Sequence, residues 1–310
     1  MIIQTGMRTD IPAYYAEWFM NRIKAGFVLV RNPYNPGSVT KYKLTPDVVD
    51  LFAFCTKNPI PMLSHIKELH CFGQYWFVTI TPYGKDLEPN VPDKETVMNA
   101  FRALSKQVGT DNIGWRYDPV IVDQKHTVEW HIQQFRYMAE KLYGYTHTCI
   151  ISFIDLYEKV KRNFPEVREV AWDEKMVLGK AFINIAKEYD MVIKPCAEGN
   201  ALAEFGADCS GCMTLATYEK ALHYPLDVPL RKLNQRNGQC ACILGTDIGA
   251  YDTCGHLCRY CYANTDPDRV KENMKKHDPA SPFLIGGSEE NDVIHEAEQS
   301  SWKERRIRLF

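Results

Sequence analysis

The chain has 310 residues, a formal net charge of −2, 45% apolar residues and 12% aromatics, enough for one large domain or two ordinary ones. Mixed charges of small net sign give no global reason to expect nucleic acid or an anionic membrane as partner, leaving room only for a local basic patch. No run approaches ~18 apolar residues, and Met1 to Asp10 lacks a charged segment followed by an apolar one, so a soluble cytoplasmic protein is expected.

Short apolar runs alternate with longer amphipathic ones through the first two-thirds of the chain. Strands are expected at Met1–Gln4, Phe27–Val30, Leu51–Cys55, Tyr75–Ile80, Asn112–Arg116, Thr148–Phe153 and Met191–Lys194. Helical patterns fill Ile11–Ala25, Ile60–Leu69, Lys94–Val108, Thr127–Leu142 and Glu174–Tyr189. Asp10, ahead of Ile11-Pro12, reads as a helix N-cap with proline in the first turn, and Asp93 and Thr127 as two more caps. The βαβ alternation implies a parallel sheet with helical crossovers. Seven strands suit an α/β fold with a full or partial TIM-like (β/α) barrel over residues 1–200. Beyond it the period dissolves into Gly, Asn, Pro and Cys. This is expected to be a Cys-rich C-terminal extension, residues 201–265, completing the rim, followed by a polar tail, 266–310, whose basic end (Trp302 to Phe310) reads as a solvated or packed helix end.

Polar residues gather where the expected strands end: Arg31-Asn32, Thr56-Lys57-Asn58, Thr79 and Thr81, Arg116 with Asp118, Ser152 with Asp155, and Lys194 to Glu198. In a β/α barrel such positions converge on the C-terminal rim, where active sites form. Asn-Pro, Asp-Pro and Thr-Pro steps also make ordinary turns. Lys57, Arg116, Asp118, Asp155 and Glu198 are the catalytic or substrate-orienting candidates.

Eleven cysteines without an export signal point to metal or redox chemistry rather than disulfides, and eight of them fall between Cys196 and Cys261. Cys254, Cys258 and Cys261 are spaced C-x3-C-x2-C, with Tyr260 before the last. Three thiolates can hold three irons of a 4Fe-4S cluster and leave the fourth open. The run resembles the signature of radical S-adenosylmethionine (SAM) enzymes, Tyr260 matching its aromatic position. That resemblance implies SAM on the open iron, Tyr260 and Asn264 flanking the nucleoside, and an external electron donor such as ferredoxin or flavodoxin. In those enzymes the loop usually lies near the N-terminus. Here it lies near the C-terminus, as a circular permutation would place it; termini of compact domains are often close in space. A strand near Gly249–Thr253 is expected to deliver the loop to the rim.

Cys209 with Cys212, Cys240 with Cys242, and Cys196 upstream offer five candidates for four positions of a second metal site. Zinc in tetrahedral geometry and an auxiliary iron–sulfur cluster are both compatible. The tight Cys-x-Cys spacing favours iron, and buried thiols without metal are the plainer alternative.

Arg8–Tyr15, Trp18–Arg22, Thr56–Pro59, Trp115–Pro119, Ile151–Asp155, Asp247–Tyr251 and Cys261–Asn264 together resemble, in order, an uncharacterised prokaryotic domain-of-unknown-function family. Its C-terminal cysteines resemble the radical SAM cluster. Gly6-Met7 stand where that pattern tends to have Ser-Arg. The resemblance implies Cys196, Cys212, Cys240 and Cys242 as the second ligand set, with Cys209 spare; it supplies no reaction. The expected function is a radical SAM-type enzyme acting on an undefined small-molecule or peptide substrate. Its competitors are an iron–sulfur electron carrier, with His256 the nearest fourth ligand, and a zinc-stabilised module binding nucleic acid or a protein.

Overall fold

The computed structural model describes residues 1–233 and 240–304. In chain order the strands are β1 (Ile2–Gln4), β2 (Phe27–Asn32), β3 (Asn35–Lys43), β4 (Leu51–Thr56), β5 (Gly73–Thr79), β6 (Ile113–Val120), β7 (Thr148–Phe153), β8 (Val192–Pro195), β9 (Thr246–Asp247) and β10 (Val293–Glu296). The helices are α1 (Ile11–Tyr14), α2 (Ala16–Ala25), α3 (Lys94–Val108), α4 (Val128–Leu142), α5 (Glu158–Asn163), α6 (Trp172–Glu188), α7 (Leu215–Leu222) and α8 (Pro267–Lys275). Seven strands form one sheet in the order β8-β7-β6-β5-β4-β1-β9, every pairing parallel. A smaller sheet has the order β10-β3-β2.

The interior strands are apolar on both faces because helices cover them: Leu51 to Phe54 and Tyr75 to Val78 are buried without alternation. α4 buries His131, Phe135, Met138, Ala139 and Leu142 at helical spacing, and Phe135 stacks on Phe182 of α6 with ring centroids 4.2 Å apart. Asp93 and Thr127 cap α3 and α4 as their sequence positions imply, through Glu95 N–H and Trp130 N–H. No helix among the described residues is long and apolar enough to cross a membrane.

Of the full or partial barrel expected, the full form is not made: the sheet does not close. β8 and β9 are the two edges of an open sheet. Phe27–Val30 lies in the small sheet instead of the large one, paired antiparallel with β3, a strand whose Asn35-Pro36-Gly37 start disguises it as a loop. The stretch 60–69 makes two short 3-10 turns: Leu63, Ile66 and Leu69 recur every third residue, the period of that tighter helix. The strand expected at 249–253 forms earlier, as β9. The polar tail contains α8 and β10; Trp18 Nε1–H, on α2, donates to Ser281 O at 2.9 Å and Phe283 O at 3.0 Å. Most of the basic end, residues 305–310, lies outside the described residues.

Candidate active site

Residues at or beyond the C-terminal ends of β1, β4, β5, β6, β7 and β8 line one cavity of about 430 Å³, closed on another side by Cys254 to Asn264. Lys57, Arg116, Asp118 and Asp155 all line it, as do Cys196, Cys212, Cys240, Cys242, Tyr260 and Asn264. Glu198 does not. Its carboxylate accepts from Phe153 N–H at 2.8 Å and from Ser152 Oγ and Lys175 Nζ at 3.3 Å each, tying β7 to the chain after β8. Arg31 also falls elsewhere, paired with Asp292 beside the small sheet.

The cations in the cavity come already paired. Lys57 Nζ lies 2.8 Å from Glu88 Oε1, and both side chains are nearly buried. Burial is the largest single influence and pulls the Lys57 ammonium down, but the charge and hydrogen bond of Glu88 together with the charges of Cys258 and Asp118 outweigh it and the net shift is upward. Glu88 also accepts from Thr81 Oγ1 and the Tyr260 hydroxyl, and Lys57 Nζ stands 5.5 Å from the centre of the Tyr260 ring. Burial, the largest single influence, pulls Arg116 down, yet Asp118 together with Cys196, Cys212 and Cys55 holds it well above the ordinary guanidinium value; Nε donates to Asp118 Oδ2 at 3.1 Å. Both stay cationic. Asp155 accepts from Tyr157 Oη at 3.3 Å.

The cysteine loop is fixed from three sides. Asp10 caps α1 through Ala13 N–H at 3.0 Å, and its other oxygen accepts from Lys57 N–H at 2.7 Å and His256 Nε2 at 2.9 Å. His256 Nδ1 then faces Tyr14 Oη at 3.1 Å; with Nε2–H donating to Asp10, the phenol donates to Nδ1, a tautomer assigned from this network. The expected helix 11–25 breaks at Tyr15, whose hydroxyl donates to Thr253 O at 2.6 Å. Asn90 Nδ2 donates to Gly255 O at 2.8 Å and Arg259 N–H to Leu87 O at 3.0 Å. Gly255 is obligatory for contact: a Cβ there would lie 2.7 Å from the Tyr14 ring. Burial pushes the Cys254, Cys258 and Cys261 thiols up, while backbone N–H groups oppose it at two sulfurs, Ala263 N–H donating to Cys261 Sγ at 3.3 Å and His256 N–H to Cys254.

A second thiol group closes the far wall. Cys212 Sγ is 3.9 Å from Cys196 Sγ and 3.9 Å from Cys242 Sγ, and Met213 N–H donates to Cys242 Sγ at 3.4 Å. The Cys212 hydrogen bonds lower Cys196 and Cys242 and raise Cys212. Cys209 lies outside the cavity lining. None of the eleven cysteines is in a disulfide, and among the described residues no group of three or more His, Cys, Asp or Glu side chains stands arranged to hold a metal ion.

The span that carries these residues, from β1 to the cysteine loop after β9, is that of a known sequence family. Its model, described as a domain of unknown function (DUF1848), matches residues 2–263. The chain belongs to the DUF1848 family. No curated protein and no solved structure matches it. The family match ends inside the motif Cys261–Asn264, so all three cysteines of the loop belong to the DUF1848 region, whereas α8 and β10 lie beyond it.

Asp10, His256 and Glu88 were not among the expected site residues. Asp10 was visible only as a cap and His256 only as an alternative ligand. Glu88, in a stretch without helical or strand period, carried no signal at all.

Proposed function

We propose that this chain is a radical SAM-type enzyme whose cluster binds Cys254, Cys258 and Cys261. The observation that carries the reading is that these three thiols, from one loop, line a cavity at the C-terminal ends of parallel strands, the position where β/α enzymes work; the open sheet is read as an incomplete barrel. The residues fit a three-thiolate cluster. Backbone N–H groups aim at two of the sulfurs, as iron–sulfur sites require to hold negative charge. The nearest fourth donor, His256, has both ring nitrogens engaged by Asp10 and Tyr14, which favours an open iron over a closed cluster. Asn264 Oδ1 and Thr9 Oγ1 are buried without a hydrogen-bond partner and both residues line the cavity; an unpaired buried acceptor is costly, and the amino or hydroxyl groups of SAM would satisfy them.

When bound, a reduced cluster and SAM supply one-electron cleavage of the sulfonium and a carbon radical that abstracts hydrogen from substrate. The protein's own residues bind, orient and exclude water. Asn264 Nδ2–H holds Cys254 O at 2.9 Å, fixing the loop while leaving its Oδ1 to a ligand. Lys57 and Arg116, each paired with a carboxylate, Glu88 and Asp118, offer the N–H groups left free by those pairs to carboxylate groups of SAM or substrate. Asp155 supplies an acceptor near the mouth. An external reductant, ferredoxin or flavodoxin in type, delivers the electron. Reconstituted anaerobically with iron and sulfide and given dithionite and SAM, the protein should release 5′-deoxyadenosine, and the Cys258→Ala variant should release none. Equal release by both, or none by either at full iron loading, would overturn the proposal.

A further inference from the structure

The two edges of the large sheet are β8 and β9. Six strand steps separate them, which at a spacing of ~4.8 Å would set them about 29 Å apart in a flat sheet. Yet Cys196, the residue after β8, and Cys242, four residues before β9, both touch the same sulfur, Cys212 Sγ, at 3.9 Å each. We propose that Cys196, Cys212, Cys240 and Cys242 hold a single tetrahedral metal ion, zinc by the chemistry of four thiolates, which pins the open edges of the sheet together.

Contact geometry decides between metals where residue spacing does not. In a tetrahedron with metal–sulfur bonds of ~2.3 Å the sulfurs lie about 3.8 Å apart, close to the two distances found. In a 4Fe-4S cluster each thiolate takes its own iron and the sulfurs spread over the corners, far beyond contact. In a 2Fe-2S cluster each thiolate shares its iron with only one other, whereas Cys212 Sγ touches two. The Cys-x-Cys spacing had favoured iron; the sulfur contacts favour one ion. Cys240 completes the set: it lines the same cavity wall, and a Cβ placed at Gly211 would meet both its Cβ, at 3.4 Å, and Cys242 Sγ, at 2.8 Å.

The backbone is shaped for it. Ala241 N–H donates to Ser210 O and Ile243 N–H to Met213 O, each at 2.8 Å, so the two cysteine segments run paired. Gly211, in the first of these segments, has φ +123°, and a Cβ there would stand 2.8 Å from Cys242 Sγ in the other. Met213 N–H donates to Cys242 Sγ at 3.4 Å and Arg116 Nη2 approaches Cys196 Sγ at 4.0 Å, outer partners of the kind that hold metal-bound thiolates in place. Zinc entering the site displaces the thiol protons; no oxidant or reductant is needed.

The site is independent of the cluster loop, so its test uses the full-length Cys254→Ala/Cys258→Ala/Cys261→Ala variant, purified in air. Elemental analysis should find about one zinc per chain and little iron, with X-ray absorption showing four sulfur neighbours at ~2.3 Å. Adding Cys212→Ala should remove at least nine-tenths of the zinc, and adding Cys209→Ala should not. As a control for misfolding of Cys212→Ala, the unaltered chain is also titrated with a mercurial in the presence of a chromogenic chelator, which should record release of about one zinc. Iron with the visible absorption of an iron–sulfur chromophore in the triple variant would overturn the proposal. So would a metal-free chain, whether its thiols are reduced or a Cys196–Cys212 disulfide is found.

Discussion

The Asp10 carboxylate ties three chain segments together: it caps α1, accepts from Lys57 N–H after β4, and accepts from His256 in the cysteine loop. Loss of a cap costs about 1 kcal/mol, but Asp10 also holds the cysteine loop through His256, and loosening the groups that position a metal's ligands typically costs 10–100-fold in metal affinity. Asp10→Ala is therefore expected to lower iron incorporation at limiting iron about tenfold or more, while Asp93→Ala, which removes only the α3 cap, leaves it unchanged; equal effects would reduce Asp10 to a helix cap. Glu88 makes a different prediction. Its pair with Lys57 is nearly buried, and breaking a buried pair leaves a charge uncompensated at roughly 3–5 kcal/mol. Glu88→Ala should lose that much stability to urea in the metal-free chain, and a loss under about 1 kcal/mol would mean that Lys57 finds an equal partner. Asp10 was legible from Asp-Ile-Pro because a cap is a local pattern. Its two other bonds, and all of Glu88, depend on which loops meet in space.

Elements with a repeating period were the legible ones. α3 and α4 carry both a cap and a 3.6-residue apolar stripe, and β4, β5 and β7 are continuous apolar runs. Where the period was three, or where turn residues opened a strand, the same signals pointed to the wrong element. Within α4, His131 occupies a core position: Nε2–H donates to Ile121 O at 2.8 Å and Nδ1 accepts from Tyr117 Oη at 2.7 Å. Burial holds its imidazole down at about 4. The folded chain thus binds fewer protons than the unfolded chain between that value and the ordinary 6.5, so stability is complete above pH ~6.5 and falls as pH drops towards ~4, by on the order of 3 kcal/mol. His131→Gln, less stable at neutral pH, should show a flatter acid limb in urea unfolding. A charged His131 seen by nuclear magnetic resonance at pH ~5.5 would contradict the burial account.

At the scale of the whole molecule, the site depends on one pairing that joins the ends of the chain: β9 lies parallel to β1, Ile3 against Thr246 and Gln4 against Asp247. Arg8, after β1, reinforces it, Nε donating to Asp247 Oδ1 at 2.7 Å. The loop that leaves β9 therefore arrives beside Asp10 and over the cavity. The three cysteines were legible as a unit because their spacing is local, and the polar strand ends because each follows an apolar run. Which edge of the sheet β9 would join was not legible, since a two-residue strand has no pattern of its own and its partner lies at the other end of the chain. The central claim is that the cluster held by Cys254, Cys258 and Cys261 keeps one iron for SAM, and the most direct measurement is electron paramagnetic resonance of the reconstituted, dithionite-reduced protein before and after addition of SAM. The account predicts a reduced-cluster signal whose g values shift on SAM binding and which is absent from Cys258→Ala; a cluster signal that saturating SAM leaves unchanged would contradict it.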